Sequence, residues 1–287
     1  MDRAQRACRY AALIALLFSH TLLLRADENK LFTPDYFRRV GGDLWSVPGS
    51  IAHWGPRQWA LAGGVLAATY GLYTYDAETR AHFGQERHDS LSDISKSLTH
   101  WGDYHYLGPA IAATWIAGLV TGSSVMNKVA GDAAESTFIA AGIINPTIAL
   151  ATGRALPSAG ESPSRFLPFR RHRYSFPSGH TSAAFAAASA IDVDLRETFG
   201  YWQTPILYGV AGLVGISRVY DHKHYPSEVF LGAAIGTTVG RWVSSKARNR
   251  KRTVTAFLTP STVGLTWRFG PGGLDPLPPS EDGELDR

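Results

Sequence analysis

The chain has 287 residues, of which 45% are apolar, and a formal net charge of +4. This apolar content is sufficient for a substantial core, and no linker or internal repeat divides the chain. The single cysteine, Cys8, excludes an intramolecular disulfide framework. The small net charge does not indicate a protein specialised for nucleic acid.

The first 26 residues are typical of an export signal. Arg3, Arg6 and Arg9 precede the apolar run Tyr10–Phe18, and Leu24-Arg25-Ala26 is an imperfect cleavage site. An uncleaved anchor helix is the alternative. We therefore expect an exported protein, periplasmic or membrane-associated, with its site outside the cytoplasm.

Apolar helical runs alternate with polar connections through residues 27–252. They predict one all-α domain, an up-and-down bundle of about six core helices with the site at one end. Asp27–Gln58 is punctuated by Pro and Gly, which favours a loop with short helices. The predicted helices are Trp59–Tyr75, Ser92–Trp101, Tyr106–Met126, Glu135–Thr152, Thr181–Ile191, Pro205–Ile216 and Val229–Val243.

The composition of these helices bears on the membrane. They are rich in Ala, Gly, Ser and Thr, and Thr181–Ile191 is shorter than the ~20 residues that span a bilayer. We favour an exported bundle that can associate with a membrane over a fully integral protein.

The C-terminal region changes character after the bundle. The basic run Lys246–Arg252 could contact anionic lipid or nucleic acid, but a solvated helix end explains it better, so no nucleic-acid partner is expected. Alternating residues in Val254–Leu258 and Val263–Phe269 predict a small hairpin over residues 253–269. Residues 270–287 are rich in Pro, Gly and acid, which predicts disorder.

The first candidate motif is Phe176-Pro177-Ser178-Gly179-His180, a turn that runs into an Ala-rich helix. Ser178 occupies the position of an N-cap, and Gly179 leaves the first backbone N–H groups accessible. The positive end of the helix dipole suits a phosphate there. His180 could give a proton to the group that leaves the anion.

The second candidate motif lies between two apolar helical runs and contains Arg218, His224 and Glu228. Arg218 ends one predicted helix, and the other two residues are one turn apart at the start of the next. A guanidinium binds phosphoryl oxygens through its planar fork, and a histidine oriented by a carboxylate can be a nucleophile. In an up-and-down bundle both motifs fall at the same end.

The two motifs resemble the type-2 phosphatidic acid phosphatase superfamily, which includes class A acid phosphatases and vanadium haloperoxidases. The resemblance implies that His224 becomes a phosphohistidine, Glu228 holds its other nitrogen and His180 is the general acid. It also implies that Arg218 and the backbone amides of Ser178 and Gly179 bind phosphate.

The chain departs from the family pattern at two places. Glu228 replaces the usual Asp. The family's first motif, Lys, six residues, Arg-Pro, is reduced to Ala149 and Leu156-Pro157. We expect Arg154 to compensate as a phosphate-binding residue.

Three functions remain open. The leading one is a metal-independent phosphatase that hydrolyses a phosphate monoester or diphosphate of a lipid or a small molecule, with a lipid phosphate favoured. The alternatives are a vanadate-dependent haloperoxidase and a degenerate phosphate-binding scaffold. The histidines of His100–His105 match no metal-ligand spacing well, so ordinary surface histidines are favoured over a metal site there. The leading hypothesis involves neither a metal nor a cofactor.

Overall fold

The computed structural model describes residues 34–85, 89–170, 175–250, 254–259 and 262–267. The predicted export signal and the C-terminal tail lie outside the described residues. The all-α class is confirmed, since helices dominate. The α-helices are α1 (Pro34–Ala52), α2 (Pro56–Thr74), α3 (Asp76–Gln85), α4 (Asp89–Thr99), α5 (Tyr104–Thr121), α6 (Ser124–Thr137), α7 (Asn145–Thr152), α8 (Gly179–Phe199), α9 (Gln203–Tyr220) and α10 (Pro226–Arg250).

Short helical segments join several of these elements. The 3₁₀ turn His100–Gly102 leads from α4 to α5, and a second one covers Pro157–Ala159. A π-helix, Phe138–Ile144, connects α6 to α7 without a break in the chain's helical path. Gly153 ends α7 in the left-handed conformation, where glycine carries no steric cost, and the basic loop follows.

The centre of the bundle is α8, which packs against α6, α9 and α10. Its buried face consists of Ala and Ser side chains, and Ala186 and Ala190 are fully buried. Small residues let neighbouring helices approach closely without leaving voids. The narrow helix spacing brings the ends of α8, α9 and α10 together.

A row of glycines on α10 produces the closest of these contacts. Gly232, Gly236 and Gly240 are spaced by one turn and face α8. A Cβ atom at Gly236 would lie 2.4 Å from the carbonyl oxygen of Ser182, and one at Gly232 would lie 2.7 Å from that of Ser178. The first turns of α8 and α10 are therefore side by side.

Two sequence predictions of local structure were wrong. Residues 34–52 form one long helix, because Val40 is buried and Leu44 packs against Ile139 and Val243. The helix predicted from Glu135 begins at Ser124 instead.

Exposed apolar side chains are frequent on the described surface. Trp59, Leu66 and Tyr70 on α2 are more than half exposed, as are Ile116 and Val120 on α5. Among the described residues one helical stretch, Ser124–Thr152, is long and apolar enough to cross a membrane by length and composition.

The chain divides into two compact units, Met1–Val243 and Ser244–Arg287. In the second, β1 (Val254–Thr259) and β2 (Thr262–Trp267) pair antiparallel, with Val254 opposite Trp267. The side chains of these strands and residues 260–261 lie outside the described residues. The hairpin and the domain boundaries stay predictions.

Candidate active site

The N-terminus of α8 begins at the cap predicted from the sequence. The Ser178 side chain accepts a hydrogen bond from the Thr181 amide, 3.4 Å away. The backbone N–H of Ser178, however, donates to the carbonyl of Glu228 at 3.0 Å. The predicted role of Ser178 as a phosphate donor is therefore wrong, since its amide is occupied and its side chain is buried as a cap.

The N–H groups of Gly179 and His180 come next, in the first turn of α8. Groups at this position have no partner within a helix and point outward along the dipole. Gly179 and His180 also line a cavity. Gly179 thus keeps its predicted place at an anion-accepting turn.

His224 is held by its Nδ1 atom. This nitrogen lies 2.8 Å from the carbonyl oxygen of Ser175 and 3.0 Å from Oε2 of Glu228. A carbonyl oxygen only accepts hydrogen bonds, so the proton is assigned to Nδ1. The lone pair of His224 is then on Nε2, as a nucleophile requires.

Glu228 is itself fixed by several donors. Its Oε2 atom accepts from the Tyr225 amide at 3.1 Å and from the Ser175 hydroxyl. Its Oε1 atom accepts from Nη1 of Arg154 at 3.1 Å. The carboxylate is fully buried, so these bonds offset the cost of taking its charge out of water.

Arg154 does not occupy the place predicted for it. Its side chain is fully buried, and its guanidinium donates to Glu228, Ser227, Asp76 and the carbonyl of Pro163. Tyr225 covers it, 4.1 Å from ring centroid to Cζ. The prediction that Arg154 binds phosphate is wrong, because its donors are directed at the carboxylates of Glu228 and Asp76.

Asp76 completes this buried group from the start of α3. It accepts from Arg154 at 2.8 Å and from the Ser227 hydroxyl at 2.6 Å. Burial raises the pKa of Asp76, and hydrogen bonds from Ser227 and Arg154 oppose this. We call Asp76, Arg154 and Glu228 the site-side ion network.

Arg218 is the guanidinium that faces the open side of the site. Nη1 donates to Thr99 Oγ1 at 2.8 Å and lies 3.8 Å from Asp221. Nε is buried and has no hydrogen-bond partner among the described residues. A buried guanidinium N–H group in this position is suited to donate a hydrogen bond to an anion. Burial lowers the pKa of Arg218, while Asp221 and Asp103 oppose this.

His180 lies in a less enclosed position than His224. Its Nε2 atom is 3.9 Å from Oδ2 of Asp103, and its side chain is 36% exposed. Burial, Arg218 and His224 lower the pKa of His180 to about 4, against the attraction of Asp103. Arg218 and His224 are therefore close enough to His180 to act on it electrostatically.

Two cavities are lined by residues of this site. One, of about 500 Å³, is mainly apolar and extends from His180 between α5, α6 and the π-helix. Its walls include Leu107, Ile111, Trp115, Phe138 and Ala183. The other, of about 660 Å³, is polar and is lined by Lys96, His100, Asp103, Arg218 and Lys223.

Several residues of the site were not predicted from the sequence. No pattern links Asp76 or Ser175 to Glu228, and Thr99 and Asp103 lie in a segment predicted only as a helix and its polar flank. The one available signal was Asp103, which precedes an apolar helix as an N-cap residue does.

Comparisons with known proteins locate the family in the second half of the chain. The family model described as the PAP2 superfamily matches residues 134–252. This match covers less than half of the chain. The PAP2 region contains both motifs, whereas Asp76, Thr99 and Asp103 precede it.

Curated relatives match shorter stretches. The chain is 33% identical over 106 residues to a lipid A 1-phosphatase of Porphyromonas gingivalis, covering 36% of this chain and 24% of that protein. It is 40% identical over 77 residues to lipid phosphate phosphatase 2 of Arabidopsis thaliana, covering 23% and 26%. The chain thus spans about a quarter of the length of these relatives.

A solved PAP2 structure shares the fold more broadly. The crystal structure of a transmembrane PAP2-type phosphatidylglycerolphosphate phosphatase from Bacillus subtilis aligns with a TM-score of 0.50 at 20% identity. The alignment covers 66% of this chain and 96% of that chain. At this identity the likeness shows the helical PAP2 fold alone.

Proposed function

We propose that this protein is a phosphatase that hydrolyses a lipid phosphate through a phosphohistidine on His224. The observation that carries the proposal is the pairing of an oriented His224 with a buried Arg218 donor that has no acceptor in the described part of the chain. The match of this region to the PAP2 superfamily model and the printed names of the chain's relatives support the same reaction class.

The first half of the reaction forms a bond from His224 Nε2 to phosphorus and breaks the ester P–O bond. His180 gives its proton to the departing oxygen. Arg218 and the amides of Gly179 and His180 neutralise the charge on the remaining phosphoryl oxygens. Glu228 stabilises the positive charge that develops on the His224 ring.

The second half returns the enzyme to its starting state. Water, losing a proton to the now neutral His180, attacks phosphorus and breaks the P–N bond. Inorganic phosphate leaves and His224 Nε2 recovers its lone pair. Every proton in this cycle is carried by His180, water or phosphate, so no metal ion is required.

The apolar cavity favours a lipid as the leaving group. It begins at His180, the proposed proton donor, so the departing oxygen and the chain attached to it lie on that side. Fifteen residues line it, and most of them are apolar or glycine. Binding of an acyl or prenyl chain there is favourable, because apolar surface is removed from water.

We also infer that the protein associates with a membrane and presents the site outside the cytoplasm. The exposed apolar side chains of α2 and α5 and the apolar stretch Ser124–Thr152 support association. The orientation depends on the N-terminal signal, which lies outside the described residues. Fractionation of cells expressing the chain, with protease access to the intact cell surface, tests both statements.

The direct test is phosphate release by the full chain from phosphatidate and p-nitrophenyl phosphate, with His224→Ala compared to wild type. We expect the variant to lose at least about 10³-fold. His222→Ala is the matched control, because it removes a neighbouring loop histidine outside the proposed mechanism. Equal rates for wild type and His224→Ala would refute the proposal.

Two further measurements address the alternatives. Alkaline quenching after mixing with substrate is expected to retain phosphate on His224; failure to trap it, together with no turnover, would favour the degenerate scaffold. Halide oxidation that depends on added vanadate would favour a haloperoxidase. Release of phosphate that persists in EDTA would support the metal-independent route.

A further inference from the structure

We propose that Asp103 is a positioning residue that holds His180 in place and favours the protonated form that serves the leaving group. This inference rests on the proposed phosphatase function, since it assigns the support for that reaction's acid. Asp103 precedes the matched region 134–252, so the family match assigns it no role.

The carboxylate of Asp103 is fixed by the start of α5. Its Oδ1 atom accepts the His105 amide at 2.9 Å as the N-cap of that helix. Its Oδ2 atom is then left on the side of His180, 3.9 Å from Nε2. The cap bond prevents the carboxylate from rotating away, so the short gap is maintained.

The backbone before Asp103 is fixed against α8. Gly102 is so close to that helix that a Cβ atom on it would lie 2.5 Å from the carbonyl oxygen of His180. Only glycine fits there without displacing one of the two segments. The position of Asp103 relative to His180 is therefore set by backbone packing and not by the carboxylate alone.

The charges around His180 explain how the Asp103 carboxylate affects its protonation. Among the described residues, the groups that act on it are Arg218 from α9, His224 from the following loop and Asp103 from α5. Arg218, His224 and burial oppose protonation, and Asp103 alone favours it. An opposite charge within ~4–6 Å favours the charged form. A bound phosphate would add to this attraction, so the acid is best formed with substrate present.

Asp103→Asn tests the charge without removing the helix cap, because Asn caps helices as well as Asp does. We expect the variant to lose at least about tenfold in kcat/KM on decyl phosphate, whose alkoxide needs a proton to leave. On p-nitrophenyl phosphate, whose phenolate leaves unaided, the loss should be no more than about twofold. Asp103→Glu should recover part of the lost activity on decyl phosphate.

Asp93→Asn is the matched control, since it removes an exposed carboxylate from α4. It should behave as wild type with both substrates. Equal losses by Asp103→Asn on both substrates, or no loss on either, would overturn the assignment.

A titration separates this proposal from the phosphatase proposal. NMR of histidine-labelled full chain follows the His180 ring in wild type and Asp103→Asn, without substrate and with vanadate. We expect its pKa to fall in the variant by about one pH unit. An unchanged pKa would overturn the role of Asp103 whether or not the protein releases phosphate. Absence of phosphate release from every substrate, with the pKa shift present, would refute the phosphatase alone.

Discussion

Two buried ion networks with the same sign pattern lie in different parts of the bundle. The site-side ion network has Arg154 between Asp76 and Glu228. The second, which we call the α6–α8 ion network, has Lys128 between Asp132 and Asp194. Each places one cation between two carboxylates and ties together distant parts of the chain.

The networks differ in how completely their oxygens are bonded. In the site-side network the oxygens of Asp76 and Glu228 all accept described hydrogen bonds. In the α6–α8 network Oδ2 of Asp194 is buried without a partner among the described residues. The site-side network contacts the proposed nucleophile, through Glu228 and His224. A shared charge pattern therefore does not identify which network has a role in catalysis. Contact with the proposed reacting residues is the better indicator.

The largest expected effect distinguishes the two networks by activity. Glu228→Gln removes the negative charge behind His224 and allows an amide N–H to face Nδ1, which favours the wrong tautomer. We expect kcat on p-nitrophenyl phosphate to fall by about 10³–10⁴-fold, as for other buried carboxylates that orient a catalytic histidine. Asp194→Asn, the equivalent change in the α6–α8 network, should retain wild-type kcat. A similar loss in both variants would remove the distinction.

The next effect should be common to both networks and concerns stability. Arg154→Met and Lys128→Met each leave two buried carboxylates without their cation. We expect each variant to lose about 3–5 kcal/mol of unfolding free energy, measured by chemical denaturation. Arg165→Met, which removes an exposed ion pair with Glu161, should cost less than about 1 kcal/mol.

Activity per folded molecule then separates these two methionine variants. Lys128→Met should turn over normally once the folded fraction is taken into account. Arg154→Met should not, because Glu228 loses a donor and moves relative to His224. Normal turnover by folded Arg154→Met would show that Arg154 contributes to stability and not to activity.

The sequence predicts the pairing of Glu228 with His224, but it does not predict the residues that hold Glu228 in place. Helical spacing pairs His224 with Glu228, and the Ser178 cap follows from residue type at a helix start. Asp76 and Arg154 reach the site only through tertiary packing, and no local pattern encodes which carboxylate an arginine will meet. Arg154 was therefore predicted on the wrong side of His224, as a phosphate ligand.

The α6–α8 network shows the same limit in the fold. Lys128 and Asp132 interrupt the apolar pattern before Glu135, so the predicted helix begins too late. Their charges are buried because Asp194, on another helix, pairs with Lys128. A polar residue in a sequence is interpreted as exposed unless its partner is known, and here the partner is more than sixty residues away. Packing is also absent from the sequence pattern of residues 34–52, where a loop with short helices was predicted and α1 is found.

A smaller effect should come from Arg154→Lys. An ammonium keeps the charge but lacks the planar fork, so it cannot bond Asp76 and Glu228 in the same geometry. We expect a loss of about 1–3 kcal/mol in unfolding free energy, less than for Arg154→Met, with a reduced kcat. A variant as stable and active as wild type would show that charge alone suffices at this position.

The smallest expected effect is a pH dependence of stability that arises from Asp194 in the α6–α8 ion network. Burial and the nearby Asp132 raise the pKa of Asp194 to about 7, from an ordinary value of 3.8. Between those values the folded protein holds a proton that the unfolded chain has lost, so stability falls as pH rises. We expect the unfolding free energy to decline from pH 4 to pH 7 on this account, measured by denaturant titration at each pH. Asp194→Asn should flatten this slope, since an amide does not titrate. Glu135→Gln, which alters a nearby buried carboxylate of α6, is the control, and an equal flattening by both would show that Asp194 is not the group responsible.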